Sequence, residues 1–178
     1  GAGMARSRAP EGLSPAGAAQ VVFLTDGSFE GLLSAIFEAY STAQPLDAIE
    51  PAGNYQPGLF DRTITIATDV NQADRVWRGL KSHLGVKRRR RLFEAFLAGE
   101  TGVATAIYRF VQDALPARSG REGEARLAAH IDIGNLSRKV RQEAHRLKGF
   151  VRFEQTADDR YLALVAPRYD VLPLVRRH

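Results

Sequence analysis

A run of basic residues between positions 136 and 153 has the spacing expected of a charged binding surface on a helix. Arg138, Arg141, His145 and Lys148 follow one another at intervals of three, four and three residues, so a helix aligns them in one row. Arg152 continues the basic character beyond Gly149. A row of cations matches the regularly spaced phosphates of nucleic acid. The spacing therefore predicts a nucleic-acid-binding surface, although a helix face that meets only solvent has the same pattern.

The same segment carries a second row that would bury the opposite side of the helix. Its members are apolar and recur at intervals of four, four and three residues: Leu136, Val140, Ala144 and Leu147. Phe150 and Phe153, which flank Arg152, could stack on unpaired bases. They also fit an ordinary strand with both rings in the core, and this is the interpretation that we prefer.

A denser basic run, KRRRR, occupies positions 87–91. On a helix these charges point in all directions, and the following Leu92 and Phe93 fix the buried side. About two or three of the five can therefore face one ligand. We include Arg89 and Arg90 in the predicted nucleic-acid-binding set, with a solvated helix end as the alternative.

Three residues are candidates for catalysis, namely Asp26, Glu30 and His145. Asp26 and Glu30 stand four residues apart near a helix start, where helix capping and the helix dipole also explain them. His145 could contact phosphate or donate a proton. An enzyme built on these side chains would need all three to converge in space. The other histidines lack metal-ligand spacing, so we predict no metal site and no cofactor.

The elements that must position these residues alternate short strands with helices. Strands are predicted at 20–24 and 61–68, and helices at 29–43, 69–84, 86–98, 101–115 and 124–147. Residues 44–60 are rich in Pro and Gly and are predicted to form a loop. Residues 150–155 and 161–165 are predicted to pair as a C-terminal β-hairpin. The fold class is therefore α+β, with short strands around a helical middle.

Composition limits the kind of protein further. The 178 residues are 44% hydrophobic and carry a net charge of +5, which favours an anionic partner. The absence of cysteine excludes disulfides and an iron–sulfur cluster held by this chain, and it fits a cytoplasmic protein. No apolar stretch is long enough to predict a membrane span. Residues 1–19 are predicted to be a flexible segment that begins with a cloning remnant, and residues 20–178 a single domain.

Several sequence blocks, in order, resemble a known bacterial family. They are TDGSFEGLLSAIFEAY, ADRVWRGLKSHLG, RRLFEAFLAGE and NLSRKVRQEAHRLKGFVRFEQTADDRYLALVAPRYDVLPLV, spanning 21–175. The family is described as DNA metabolism or repair proteins containing a domain of unknown function. Its genes lie beside that of a radical-SAM iron–sulfur protein, and some members are fused to a domain of the uracil-DNA glycosylase superfamily. Because family members usually continue past DVLPL, the resemblance implies a truncated chain or the first domain of a longer protein.

Three hypotheses about function follow. The first is a DNA-binding accessory domain that delivers substrate to a partner, either the radical-SAM protein or a glycosylase-type domain. The second is a protein–protein adaptor whose basic face docks an acidic partner surface. The third is a DNA-processing enzyme that uses Asp26, Glu30 and His145.

Overall fold

A small parallel sheet forms one side of the structure. The computed structural model describes residues 20–115, 132–150, 154–155, 161–162 and 168–175. Strands β1 (Val21–Thr25), β2 (Ala48–Pro51) and β3 (Arg62–Thr65) form this sheet in the order β2-β1-β3. Both neighbours run parallel to the central strand β1. With the helices described below, this arrangement confirms the predicted α+β class.

Strand β2 lies within the segment that the sequence predicted to be a loop. Only one of its residues, Ile49, is fully buried, so the strand shows no alternation of apolar and polar residues. The Ile49 backbone N–H donates to Thr105 Oγ1 (3.0 Å), and that hydroxyl donates to the Ile49 carbonyl (2.9 Å). A side chain from a distant helix therefore completes the hydrogen bonding of this edge strand.

Helix α1 (Phe29–Thr42) follows β1 directly and packs on the sheet through its buried face. Ser28 caps it, because its Oγ accepts a hydrogen bond from the Gly31 N–H at 2.9 Å. Phe29, the first residue of the helix, packs against Trp77, Phe93 and Phe96 in edge-on or tilted ring contacts. These rings join the start of α1 to both halves of the next helix.

Helix α2 (Val70–Phe96) is capped by Asp69 and is broken at Gly85, whose φ of 77° and ψ of 165° are not helical. The prediction of two helices separated at this glycine is therefore confirmed. Beyond the break, Arg89 Nη1 donates to the Trp77 carbonyl at 2.9 Å. The second half of α2 therefore packs back against the first half.

Helices α3 (Val103–Ala114) and α4 (Ile133–Phe150) complete the helical layer, and a short helix α5 (Leu172–Val175) follows. The main core lies between the sheet and α1, α2 and α3, and includes Leu136 of α4. A smaller core joins the end of α2 to α4 and the segment before α5 through Leu97, Val140, Ala144 and Val171. This second core fixes the orientation of α4.

The predicted C-terminal β-hairpin is not supported. Phe150, which was expected to begin its first strand, is the last residue of α4. In the described residues, antiparallel pairing is limited to β4 (Glu154–Gln155) and β5 (Tyr161–Leu162). The helix was predicted to end at 147, but it continues through Gly149, since a single glycine weakens a helix by only about 1 kcal/mol and does not have to end it.

Candidate nucleic-acid interface

The basic face of α4 points away from the core. Leu136, Val140 and Ala144 are buried and Leu147 packs beside them, so the predicted apolar row is confirmed. The opposite side carries exposed side chains that are mainly basic: Arg138, Lys139, Arg141, Gln142, His145 and Arg146. The side chains of Lys148 and Arg152 lie outside the described residues. The part of the predicted row that is described therefore faces solvent, as a binding surface requires.

A buried acid, Glu94 of α2, links the two basic runs. Its side chain is only 2% exposed, yet it contacts Arg90 of α2 and Arg141 of α4. Arg90 Nε lies 3.0 Å from Glu94 Oε1, and Arg141 Nε lies 3.4 Å from Oε2. Ser137 Oγ, also buried, donates to Oε2 at 2.6 Å. One carboxylate thus holds a cation from each helix beside the other.

The two arginines paired with Glu94 keep much of their surface. Their side chains are 60% (Arg90) and 51% (Arg141) exposed, so the outer edge of each guanidinium remains available to an anion. A guanidinium has five N–H donors in a planar fork, more than one carboxylate oxygen can occupy. The pair can therefore stabilise the helix packing and still contact a phosphate.

The rest of the KRRRR run divides between the protein interior and solvent. Arg89 is half-buried with its guanidinium carbon 4.2 Å from the centre of the Trp77 ring, and its buried Nε has no hydrogen-bond partner among the residues that the structure describes. Its position favours a role in helix packing. Lys87, Arg88 and Arg91 are exposed. Helix periodicity turns Lys87 and Arg91 toward the side of Arg90 and turns Arg88 away from it.

An open groove of about 670 Å³ runs along α4. The described side chains around it come from α4 and from the 168–169 segment: Arg138, Lys139, Arg141, Gln142, Glu143, His145, Arg146, Arg168 and Tyr169. Most of these residues are basic or aromatic. This groove therefore places His145 among the predicted phosphate-binding residues.

Glu143, the acidic residue lining this groove, is occupied by internal partners. Its carboxylate accepts hydrogen bonds from the Arg168 backbone N–H (3.3 Å) and from the Arg146 guanidinium. The backbone hydrogen bond, with Arg146 second, lowers the pKa of Glu143 below its ordinary value. The carboxylate therefore stays ionised at neutral pH, and its charge is offset locally by Arg146.

Asp26 and Glu30 lie at a different place, where β1 leads into α1. Asp26 accepts hydrogen bonds from the Ser28 N–H (2.9 Å), the Ser28 hydroxyl (2.6 Å) and the Thr68 hydroxyl (2.8 Å). These bonds, those from Ser28 first, lower the pKa of Asp26. Among the described residues, no hydrogen bond or ion pair joins Asp26 or Glu30 to His145. The geometry around Asp26 is that of a helix-start turn.

Sequence reasoning missed Glu94, Ser137, Arg168 and Tyr169. A signal for Glu94 was present, because an acid four residues after Arg90 inside the apolar segment LFEAF can form a helical ion pair on the buried side. Ser137 and the 168–169 segment have no comparable local signal. Their roles depend on contacts with residues far along the chain.

No group of three or more His, Asp or Glu side chains that could hold a metal ion occurs among the residues that the structure describes. None of the helices in the described ranges is long and apolar enough to cross a bilayer.

The C-terminal part of the chain, residues 101–178, matches the family model of a domain of unknown function (DUF4130). The matched range contains α3, α4 and the 168–169 segment, whereas Glu94 and α2 precede it. No curated protein and no solved structure matches the chain. The family description assigns no activity, so the proposals below are based on the geometry and on the resemblance described above.

Proposed function

We propose that this protein binds nucleic acid through a continuous basic surface formed by α4 and the second half of α2. The observation that carries this proposal is the shared buried carboxylate of Glu94, which holds Arg90 and Arg141 side by side. Phosphate contacts would supply the affinity. We define the surface by its exposed basic side chains: Lys87, Arg90, Arg91, Arg138, Lys139, Arg141, His145 and Arg146.

The acids near this surface strengthen the case for an anionic partner. Glu94 is buried against two guanidinium groups, and Glu143 is bonded to Arg146 and to the Arg168 backbone. The positive potential of the exposed cations is therefore only partly cancelled. A surface of this kind attracts a polyanion from solution and holds it in a salt-dependent way.

We place this binding in a wider role as an accessory domain in DNA metabolism or repair. The domain would work in the cytoplasm with a radical-SAM iron–sulfur protein or a glycosylase-type domain. Support for this wider role comes from the resemblance of the DGSFEG block and the 142–153 block to the bacterial family named above. The basic surface would hold DNA while the partner acts on it.

The direct test is fluorescence-anisotropy binding of labelled DNA across a salt series. The variant Arg138→Ala/Lys139→Ala removes two exposed cations that are not paired with Glu94. Arg62→Ala/Lys81→Ala is the matched control, because it removes the same charge from exposed positions on β3 and the first half of α2. We expect the α4 variant to reduce the slope of log K against log salt by about 1.4 to 1.8, and the control to leave it nearly unchanged.

Two results would contradict this proposal. Equal losses in both variants would show that only net charge matters, so no particular surface binds DNA. Absence of binding by the wild-type protein at low salt would exclude the function itself. In that case the adaptor hypothesis, in which the basic face docks an acidic protein, would become the better explanation.

A further inference from the structure

The groove along α4 combines phosphate-binding cations with a fixed Arg–Tyr pair. The guanidinium carbon of Arg168 lies 5.5 Å from the centre of the Tyr169 ring. Arg168 is exposed, whereas Tyr169 is half-buried and packs against the smaller core. Planar guanidinium and aromatic groups are the side chains on which unpaired bases stack.

This pair is held in place by anchors on both sides. The Arg168 backbone N–H donates to Glu143 of α4, and the Asp170 N–H donates to the Leu97 carbonyl at the end of α2 (3.2 Å). Val171, the next residue, is fully buried. The segment is therefore positioned against both α2 and α4, and a base stacked on Arg168 would meet a preorganised partner.

The groove has a volume large enough for a single nucleotide. Its volume of about 670 Å³ lies within the range of small-molecule sites. Arg138, Arg141 and His145 line the groove together with Arg168 and Tyr169, so phosphate-binding groups and a stacking platform share one space. In a duplex the base faces are already stacked and cannot reach such a platform.

We infer that this groove binds an unpaired nucleotide of a single strand, with its base stacked on Arg168 and its phosphate on the α4 cations. This inference depends on the proposed function, because it adds base stacking to the same phosphate-binding surface. It names the preferred ligand class as single-stranded nucleic acid. It does not require recognition of a particular base, since every base has a face that can stack.

The test compares two labelled single strands of equal length and charge, one made of thymidine nucleotides and one made of abasic sugar phosphates. Each is titrated into the wild type, Arg168→Lys and Arg62→Lys. Lysine keeps the charge but loses the planar group on which a base can stack. Any change in hydrogen bonding to phosphate affects both strands, so the ratio of their affinities reports on stacking. Arg62→Lys is the matched control, because it makes the same chemical change at an exposed arginine on β3.

We expect the wild type and Arg62→Lys to bind the thymidine strand about tenfold more tightly than the abasic strand. In Arg168→Lys this ratio should fall to about twofold or less, while the salt slopes of both strands stay unchanged. Binding of both strands with equal affinity by the wild type would overturn the inference and leave the proposed function intact. An unchanged affinity ratio in Arg168→Lys would likewise overturn the inference and leave the proposed function intact. If the wild type bound neither strand, both the inference and the proposed function would be overturned.

Discussion

Glu94 shows how one buried residue joins basic side chains from two helices. A carboxylate in the core is costly unless it is paired, and here two guanidinium groups and the Ser137 hydroxyl supply the pairing. Because the arginines come from different helices, the buried charge also favours the packing of α4 on α2. Stability and the shape of the binding surface are therefore coupled at this residue.

This coupling predicts non-additive effects of the two arginines on stability. Arg90→Ala and Arg141→Ala should each lower the free energy of unfolding by about 1 kcal/mol or less, since Glu94 keeps one guanidinium in each case. The double variant should lose about 1 kcal/mol more than the sum, because the carboxylate is then buried with only Ser137. Urea unfolding of the four proteins measures the difference. In a Glu94→Gln background the extra loss of the double variant should disappear. Additive effects of the two arginine substitutions with Glu94 present would refute the coupling.

Gly31 makes a second residue-scale prediction, concerning the turn at the start of α1. A Cβ at this position would lie 2.4 Å from Asp26 Oδ1 and 3.1 Å from both the Ser28 and Thr68 hydroxyl oxygens. The Asp26 carboxylate cannot rotate away without losing hydrogen bonds from Ser28 and Thr68. We therefore expect Gly31→Ala to destabilise the protein by about 1–2 kcal/mol, despite the better helix propensity of alanine.

Gly79 is the matched control for that substitution. It lies in the helical first half of α2, where an added Cβ would meet no described atom within 4 Å other than the helix's own backbone. Gly79→Ala should therefore raise the free energy of unfolding by up to about 1 kcal/mol. Thermal or urea unfolding of both variants gives the sign of each change in the free energy of unfolding. Stabilisation by Gly31→Ala would show that the Asp26 turn is not rigid.

At the scale of elements, the break at Gly85 brings the KRRRR run next to α4. A φ of 77° with a ψ of 165° is a backbone conformation that residues other than glycine rarely adopt. The break allows the second half of α2 to return along the first, where Arg89 bonds the Trp77 carbonyl. A continuous helix over 70–96 would instead carry Arg90 and Glu94 away from the rest of the core.

Replacing Gly85 with alanine should therefore destabilise the protein through backbone strain alone. Apart from the adjacent backbone, no atom of the described residues lies within 4 Å of the position of its Cβ, so crowding there does not contribute. The expected loss is about 1–3 kcal/mol in urea unfolding, opposite in sign to the effect of Gly79→Ala. A neutral or stabilising Gly85→Ala variant would mean that the break is not required by the fold.

The elements that the sequence predicted well are those whose signal is local. The apolar row of α4 was read directly from the spacing of Leu136, Val140 and Ala144, and the buried residues agree with it. Strand β2 escaped prediction because its edge is completed by Thr105 of α3, more than 50 residues away. The end of α4 was placed at 147 because residues 150–155 fit a strand, yet α4 continues to Phe150.

In the candidate surface, too, the sequence predicted the features that have a local signal and missed those set by long-range contacts. Periodicity identified the exposed cations of α4, but it could not show that Arg89 turns inward to Trp77. Nor could it show that Glu94 accepts a hydrogen bond from Ser137, 43 residues away. The 168–169 segment enters the groove only through long-range contacts with Glu143 and Leu97.

For the molecule as a whole, the basic surface combines residues inside the range that matches the family model with residues that precede this range. The α4 side falls within residues 101–178, which match the domain of unknown function, whereas Arg90 and Glu94 of α2 precede that range. A polyanion lying across the surface would contact both parts. The proposed function therefore belongs to residues 20–178 acting together rather than to the matched range alone.

This joint surface predicts that cations from the two helices contribute equally and additively to the salt dependence of DNA binding. Lys87→Ala/Arg91→Ala removes two exposed cations of α2, as Arg138→Ala/Lys139→Ala does on α4. Each pair should reduce the salt slope by about 1.4 to 1.8, and the quadruple variant by about twice that amount. Anisotropy titrations of one labelled oligonucleotide at several salt concentrations measure all three slopes. The Arg62→Ala/Lys81→Ala protein again controls for net charge. A slope unaffected by the α2 pair would confine the interface to α4 and would leave the pairing of Arg90 with Glu94 a purely structural feature.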